Sequence, residues 1–162
     1  MKITTPEIEI VCFLQNAWSP IFAGGSWPRD SWIRALRLSR SGLRLKHLID
    51  DFNICENTTP EVGADPSSKL PPNDPYIKDI LQRRNPQLVI TCGRQAETAL
   101  VKLWDGPLLS VPHPAHRLVT NSLYTEGKHL IKAGLNDRIA LRQGKGEVIR
   151  ETLGFEKGIY QK

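Results

Sequence analysis

The stretch of this chain best suited to chemistry is Val111-Pro112-His113-Pro114-Ala115-His116-Arg117, which follows the short apolar run Pro107 to Val111. A histidine between two prolines, just past an apolar run, sits on a loop whose backbone is stiff and cannot become helix. Rigid backbone around an imidazole suits a group that must be held at a fixed place over a substrate. An arginine four positions later suits a loop that also meets phosphates or base edges. A proline-rich turn with a solvated histidine is the alternative when the loop is read alone.

Three further segments end apolar runs in polar residues: Gln15-Asn16-Ala17-Trp18, Glu56-Asn57-Thr58 and Gly93-Arg94-Gln95. An asparagine offers a donor and an acceptor, so it can read a nucleobase edge bidentately. A tryptophan offers a flat wall for a base held in a pocket. A histidine can donate a hydrogen bond to an oxygen that becomes negative as a bond breaks. A second amide can hold a water, although it is a poor general base. Together these groups suit departure of a stable anionic leaving group followed by capture by water.

The elements that must position them read as strands at Ile8 to Leu14, Phe52 to Cys55, Leu88 to Thr91 and Leu108 to Val111. None alternates cleanly, which predicts strands buried on both faces of a parallel sheet. Helical character falls at Ser31 to Leu38 and Ser41 to Ile49, at Asp74 to Arg84 with Pro75 in its first turn, at Arg94 to Trp104, and at Thr125 to Gln143, where Gly134 weakens the middle. The alternation predicts an α/β fold, a three-layer α/β/α domain with a central four-stranded parallel sheet over residues 1–143. Thr58 to Asn73 reads as a long loop. Residues 144–162 read as a tail, a loosely packed helix or a partly mobile segment of the same domain. In such a sheet ligands bind at the carboxyl ends of the strands, where the four polar segments collect.

With 162 residues the chain is long enough for one sizeable core and short for two. A net charge of +5 points to an anionic partner, nucleic acid first. The basic run Arg29, Arg34, Arg37, Arg40, Arg44, Lys46 is either a solvated face or a DNA-backbone surface; Ser39-Arg40-Ser41-Gly42 could offer backbone N–H groups to a phosphate. Met1 to Pro6 shows no signal-peptide hydrophobic region, and no run is long enough to span a membrane. Three cysteines, Cys12, Cys55 and Cys92, fit no zinc or cluster spacing and read as buried free thiols, consistent with a reducing cytosol and a cytoplasmic protein without a membrane partner. Trp27 reads as a core aromatic, and His47 and His129 as solvated helix faces.

The order and spacing of the four segments resemble the uracil-DNA glycosylase superfamily over roughly Glu7 to Tyr124. Members of that family carry a first motif of the type Gly-Gln-Asp-Pro-Tyr or Gly-x-Asn-Pro-Gly after strand one. An Asn-bearing segment follows strand two, a helix-opening Gly ends strand three, and a His-Pro-Ser loop follows strand four. The resemblance implies that Asn16 positions the attacking water and that Gln15 offers its backbone to the base. Trp18 would form the wall against C5 of a pyrimidine, Asn57 would bond the base edge, and His113 would stabilise the leaving base. Arg117 stands where the family inserts a wedge into the duplex, as in the single-strand-selective monofunctional branch. Apart from the resemblance, His116 (phosphate contact or solvated), Arg40, Ser41, Gly42 and Arg94 are the further DNA contacts expected from the basic segments. The implied activity is hydrolysis of the N-glycosidic bond of a flipped uracil or modified pyrimidine by a monomer, with no metal or organic cofactor. The chain departs from the pattern at Leu14 for Gly, Ala17 for Pro and Ala115 for Ser. These departures leave two alternatives: a glycosylase for a modified base of phage DNA, serving antiviral defence, and a non-catalytic DNA-binding module of the same fold.

Overall fold

A computed structural model describes residues 9–16, 40–49, 54–59, 70–115, 120–135, 138–142 and 147–150. Within them the chain forms β1 (Ile10–Asn16), α1 (Arg40–Leu45), β2 (Ile54–Thr59), α2 (Asp74–Arg84), β3 (Leu88–Cys92), α3 (Arg94–Leu103), β4 (Leu108–Val111), α4 (Asn121–Lys132), β5 (Arg138–Arg142) and β6 (Glu147–Arg150). The strands build one six-stranded sheet in the order β2-β1-β3-β4-β5-β6. All neighbours pair in parallel except β5 and β6, which are antiparallel. The fold is thus α/β, as the alternation predicts, but with five parallel strands instead of four.

Alternate residues of the strands enter two apolar clusters. Val11, Phe13, Val89, Leu108 and Ala140 pack with Ile77, Ile80 and Leu81 of α2 and Ala96, Ala99 and Leu100 of α3. Cys12, Leu14, Cys55, Ile90, Cys92, Leu109 and Ile139 pack with Leu45, with Leu48 and Ile49 just beyond α1, and with Leu123 and Tyr124 of α4. Strands buried on both faces explain why their sequences run apolar without a period of two. Each fully buried Leu or Ile contributes roughly 1.5–3 kcal/mol. Cys12, Cys55 and Cys92 are buried and form no disulfide among the described residues, as expected.

Local chemistry sets the helix boundaries. The Asn73 side chain caps α2 by accepting from the Tyr76 N–H at 3.1 Å, Pro75 occupies its first turn, and Asn85 ends it in the left-handed conformation. Thr120 caps α4 by accepting from the Leu123 N–H at 3.2 Å.

Three expectations are corrected. The helix expected over Thr125 to Gln143 ends at Lys132, where Gly134 with φ of 89° turns the chain, and Arg138–Arg142 is β5. The tail is not helical at Glu147–Arg150, which forms β6 against β5. The second strand runs to Thr59, so Asn57, Thr58 and Thr59 belong to β2 and not to a following loop. Ser31 to Leu38 and Trp27 lie outside the described residues.

Candidate functional site

Because β1 to β5 are parallel, their carboxyl ends share one edge of the sheet. From β1 the chain passes to β2 on one side and then to β3 on the other, so the connections diverge at the ends of β1 and β3. Crevices for ligands form at such reversals. That edge carries Gln15 and Asn16, Asn57 to Thr59, Gly93 and Arg94, and the Pro112 to Ala115 loop. Asn57 lies opposite Leu14 and Thr59 opposite Asn16.

The loop after β4 is fixed from several sides. The Tyr124 hydroxyl of α4 donates to the Pro112 carbonyl at 2.5 Å, and Arg44 Nη1 of α1 donates to the Pro114 carbonyl at 3.2 Å. The Ala115 N–H donates to His113 Nδ1 at 3.0 Å. A ring nitrogen that accepts a hydrogen bond carries no proton, so the neutral imidazole keeps its N–H on Nε2. Gly93 backs the ring: its N–H donates to the Val111 carbonyl at 2.8 Å, and a Cβ there would lie 3.2 Å from His113 Cβ. With φ of +98° as well, that position favours glycine on two counts.

The opposite side of the edge is tied to the segment before α2. Thr59 Oγ1 donates to the Pro71 carbonyl at 3.0 Å, the Asn73 N–H donates to the Thr58 carbonyl at 3.0 Å, and Gln95 Nε2 donates to the Leu70 carbonyl. Thr58 Oγ1 donates to the Gln15 carbonyl at 2.7 Å, so one of the two backbone groups that Gln15 could offer to a base already makes a hydrogen bond. Asn57 is buried (2% exposed), and its Nδ2 has no hydrogen-bond partner among the described residues. Buried polar groups are nearly always paired; Asn57 Nδ2 shares its unpartnered state among the described residues with Thr91 Oγ1 of β3, and of the two only Asn57 is among the edge residues expected to meet a ligand.

The two faces of the sheet differ in chemistry near this edge. Glu56, Thr91 and Ser110 share the α2 and α3 side, being joined in register through Phe13. Glu56 is fully buried and accepts from the Tyr76 hydroxyl at 2.5 Å. Glu97 of α3 is buried and accepts from the Ser110 hydroxyl. On the other side, burial pushes the thiols of Cys12 and Cys92 well up from their ordinary value, reinforced by neighbouring thiols. Burial likewise raises the Tyr124 phenol, aided by Cys92 and opposed by the Arg44 guanidinium. At neutral pH these thiols stay protonated and are weak nucleophiles, while Tyr124 stays a hydrogen-bond donor.

Gln15, Asn57 and His113 therefore share one edge with the backbone of Asn16, whose side chain lies outside the described residues. Arg94 is exposed at the start of α3. Ser41 is half-buried, and Gly42 is buried on the inner side of α1 with Leu45. Arg40 opens α1, its side chain outside the described set; Trp18, His116 and Arg117 lie outside it altogether. His47 and His129 are exposed, in line with solvated faces. Sequence reasoning missed Tyr124 and Arg44 as supports of the His113 loop. It also missed the buried carboxylates, since an isolated Glu in a helix or at a strand end reads as surface. Among the described residues no group of His, Cys, Asp and Glu could hold a metal ion, and no helix is long and apolar enough to cross a membrane. Comparison with protein-family models, with curated proteins and with solved structures gave no match.

Proposed function

We propose that this chain is a monofunctional DNA glycosylase that hydrolyses the N-glycosidic bond of a flipped uracil or modified pyrimidine, leaving an abasic site. The observation that carries the reading is His113, fixed on a rigid loop at the ligand edge with Nδ1 accepting from the Ala115 N–H. An imidazole held with its proton on Nε2 donates to the base oxygen as negative charge builds there, and a fixed donor needs no reorganisation at that moment. Asn57 bonds the base edge with its buried amide, and Asn16 at the end of β1 orients water. The bond between C1′ and the base nitrogen breaks, the base leaves with the electron pair, water oxygen bonds to C1′, and the proton that water loses passes to solvent. Trp18 walls the pocket. Arg117 fills the place of the flipped base, with His116, Arg40, Ser41 and Arg94 as candidate backbone contacts, while Gly42, buried on the inner side of α1, is set aside; the net charge of +5 favours DNA as partner.

One observation favours a remodelled pocket. Leu14 stands where the resembled family has Gly, and its side chain is buried in the core. A glycosylase acting on a modified base of phage DNA is therefore the second reading. Labelled oligonucleotides carrying uracil, single- and double-stranded, are incubated with the protein beside DNA with modified pyrimidines, then treated with hot alkali. Cleavage at uracil supports the first reading, and cleavage only in modified DNA supports the second. DNA bound with no base released at any enzyme concentration overturns both and leaves a binding module. His113→Ala lowers single-turnover base release by on the order of a hundredfold or more while DNA affinity stays near the parent's; if both fall together, His113 is a binding or structural residue.

A further inference from the structure

We infer that Tyr124 and Arg44 are positioning residues for His113, clamping its loop from two separate elements so that the imidazole is held in one orientation and one tautomer. This rests on the reading of His113 as the group that meets the leaving base. The two hydrogen bonds bracket the histidine: Tyr124 Oη holds the carbonyl of Pro112, one residue before it, and Arg44 Nη1 holds the carbonyl of Pro114, one residue after it.

Neither preceding proline nor following proline can use a backbone N–H to tie the loop to the sheet. The carbonyls are thus the main-chain handles left at these positions, and both are occupied. Tyr124 is fully buried in the cluster with Cys92, Leu109 and Val111, so its hydroxyl is fixed relative to β3 and β4. Arg44 is half-buried on the flank of α1, and its guanidinium acts on the Tyr124 phenol, so the two supports lie close together. Gly93 closes the remaining side, its Cα admitting the ring where any side chain would press on His113 Cβ. With the chain on either side held, the Ala115 N–H is kept in line with Nδ1, and the proton stays on Nε2.

The arrangement also joins α1 to the imidazole. Leu43 is exposed on the outer side of that helix, and Lys46 and His47 are exposed in the turn just beyond it, while Arg44 turns toward the loop. A contact made by the outer side of α1 would therefore bear on His113 through Arg44.

The test uses the full chain and three variants: Tyr124→Phe, Arg44→Met and Arg44→Lys, with Lys46→Met as a control for loss of one positive charge from the same segment. The first readout is the nitrogen-15 spectrum of the His113 imidazole, assigned by its disappearance in His113→Gln. The parent shows one protonated and one unprotonated ring nitrogen, with Nε2 carrying the proton. Tyr124→Phe and Arg44→Met move both signals toward an average of two exchanging tautomers, Arg44→Lys restores the parent pattern in part, and Lys46→Met leaves it unchanged. The second readout is base release. Misplacing a reacting group by about 1 Å can cost on the order of a hundredfold, so both clamp variants lower kcat by tenfold or more with KM within about twofold, whereas Lys46→Met acts on KM. Parent-like imidazole spectra in both clamp variants overturn the inference, whatever the activity. If the parent releases no base from any oligonucleotide, the glycosylase reading fails while the spectra still decide the clamp.

Discussion

An amide N–H₂ group buried without a hydrogen-bond partner costs about 1–3 kcal/mol, and Asn57 Nδ2 is such a group among the described residues. The chain tolerates that cost on a strand where Thr58 and Thr59, its two successors, both have partners for their hydroxyls. The proposed function accounts for the difference: a donor kept for an incoming base edge is satisfied only when the ligand arrives. Stability and function should then move in opposite directions at this position. Asn57→Leu, the same in branching and heavy-atom count and free of buried donors, should raise the urea midpoint by the equivalent of about 1 kcal/mol. The same variant should lose base release by on the order of a hundredfold, the scale of one well-placed polar contact. Equilibrium unfolding beside single-turnover assays checks both; a destabilised variant with parent-like activity would make Asn57 a structural residue.

At the scale of elements, the sequence was most legible where the local signals were single-valued. Leu88–Cys92 and Leu108–Val111 are short apolar runs bounded by Pro and Gly, and both are strands. Asp74–Arg84 carries its cap and first-turn proline and is helix. The failures came where a polar residue is buried by partners distant in sequence. Glu56, Asn57, Thr58 and Thr59 looked like loop, yet they complete β2, the Glu paired with Tyr76 of α2; the two β-branched threonines were the signal to extend the strand. β5 was hidden for a related reason. Its Ala, Leu and Arg are good helix formers, and they continue the helical pattern that begins before Gly134. Arg138 is buried (5% exposed) and donates to the carbonyls of Val101 and Trp104 at the end of α3, a favourable site for a cation. At the candidate site the edge positions of Gln15, Asn57 and His113 could be read, whereas the Tyr124 and Arg44 clamp could not, since it joins residues that no local pattern connects. β6 leads to a prediction at this scale. Ending the chain at Gln143 removes β6 and bares the β5 edge, so the thermal midpoint falls, each kcal/mol lost reading as roughly 2–4 °C. Light scattering should rise with concentration as exposed edges pair. A shortened chain with the parent's midpoint and no scattering would show that β6 contributes nothing to the sheet.

Across the whole molecule, β1, β3 and α4 each bring one ionisable group into the same apolar cluster: Cys12, Cys92 and Tyr124. Burial holds all three in the protonated form. In the unfolded chain the thiols titrate near their ordinary value of 9.0 and the phenol near 10.0. Below pH 9 both states hold these protons, and the three groups add no pH dependence. Above it for the thiols, and above about pH 10 for the phenol, the unfolded chain releases protons that the native state keeps, so stability falls as pH rises, by about 1.4 kcal/mol per pH unit for each group. Urea unfolding in the presence of reductant, from pH 8 to 10.5, should show little change up to about pH 9 and a steep loss beyond. Cys12→Ala should start lower, from its small cavity, but lose stability less steeply by one group's share. Tyr124→Phe should soften the curve only above about pH 10. An alkaline slope unchanged in Cys12→Ala would mean that the thiol ionises in place and that this layer is open to water. The same titration bears on His113: while the layer stays protonated, Tyr124 keeps its donor on the Pro112 carbonyl. Alkaline loss of base release should therefore track the unfolding curve and show no separate step below it.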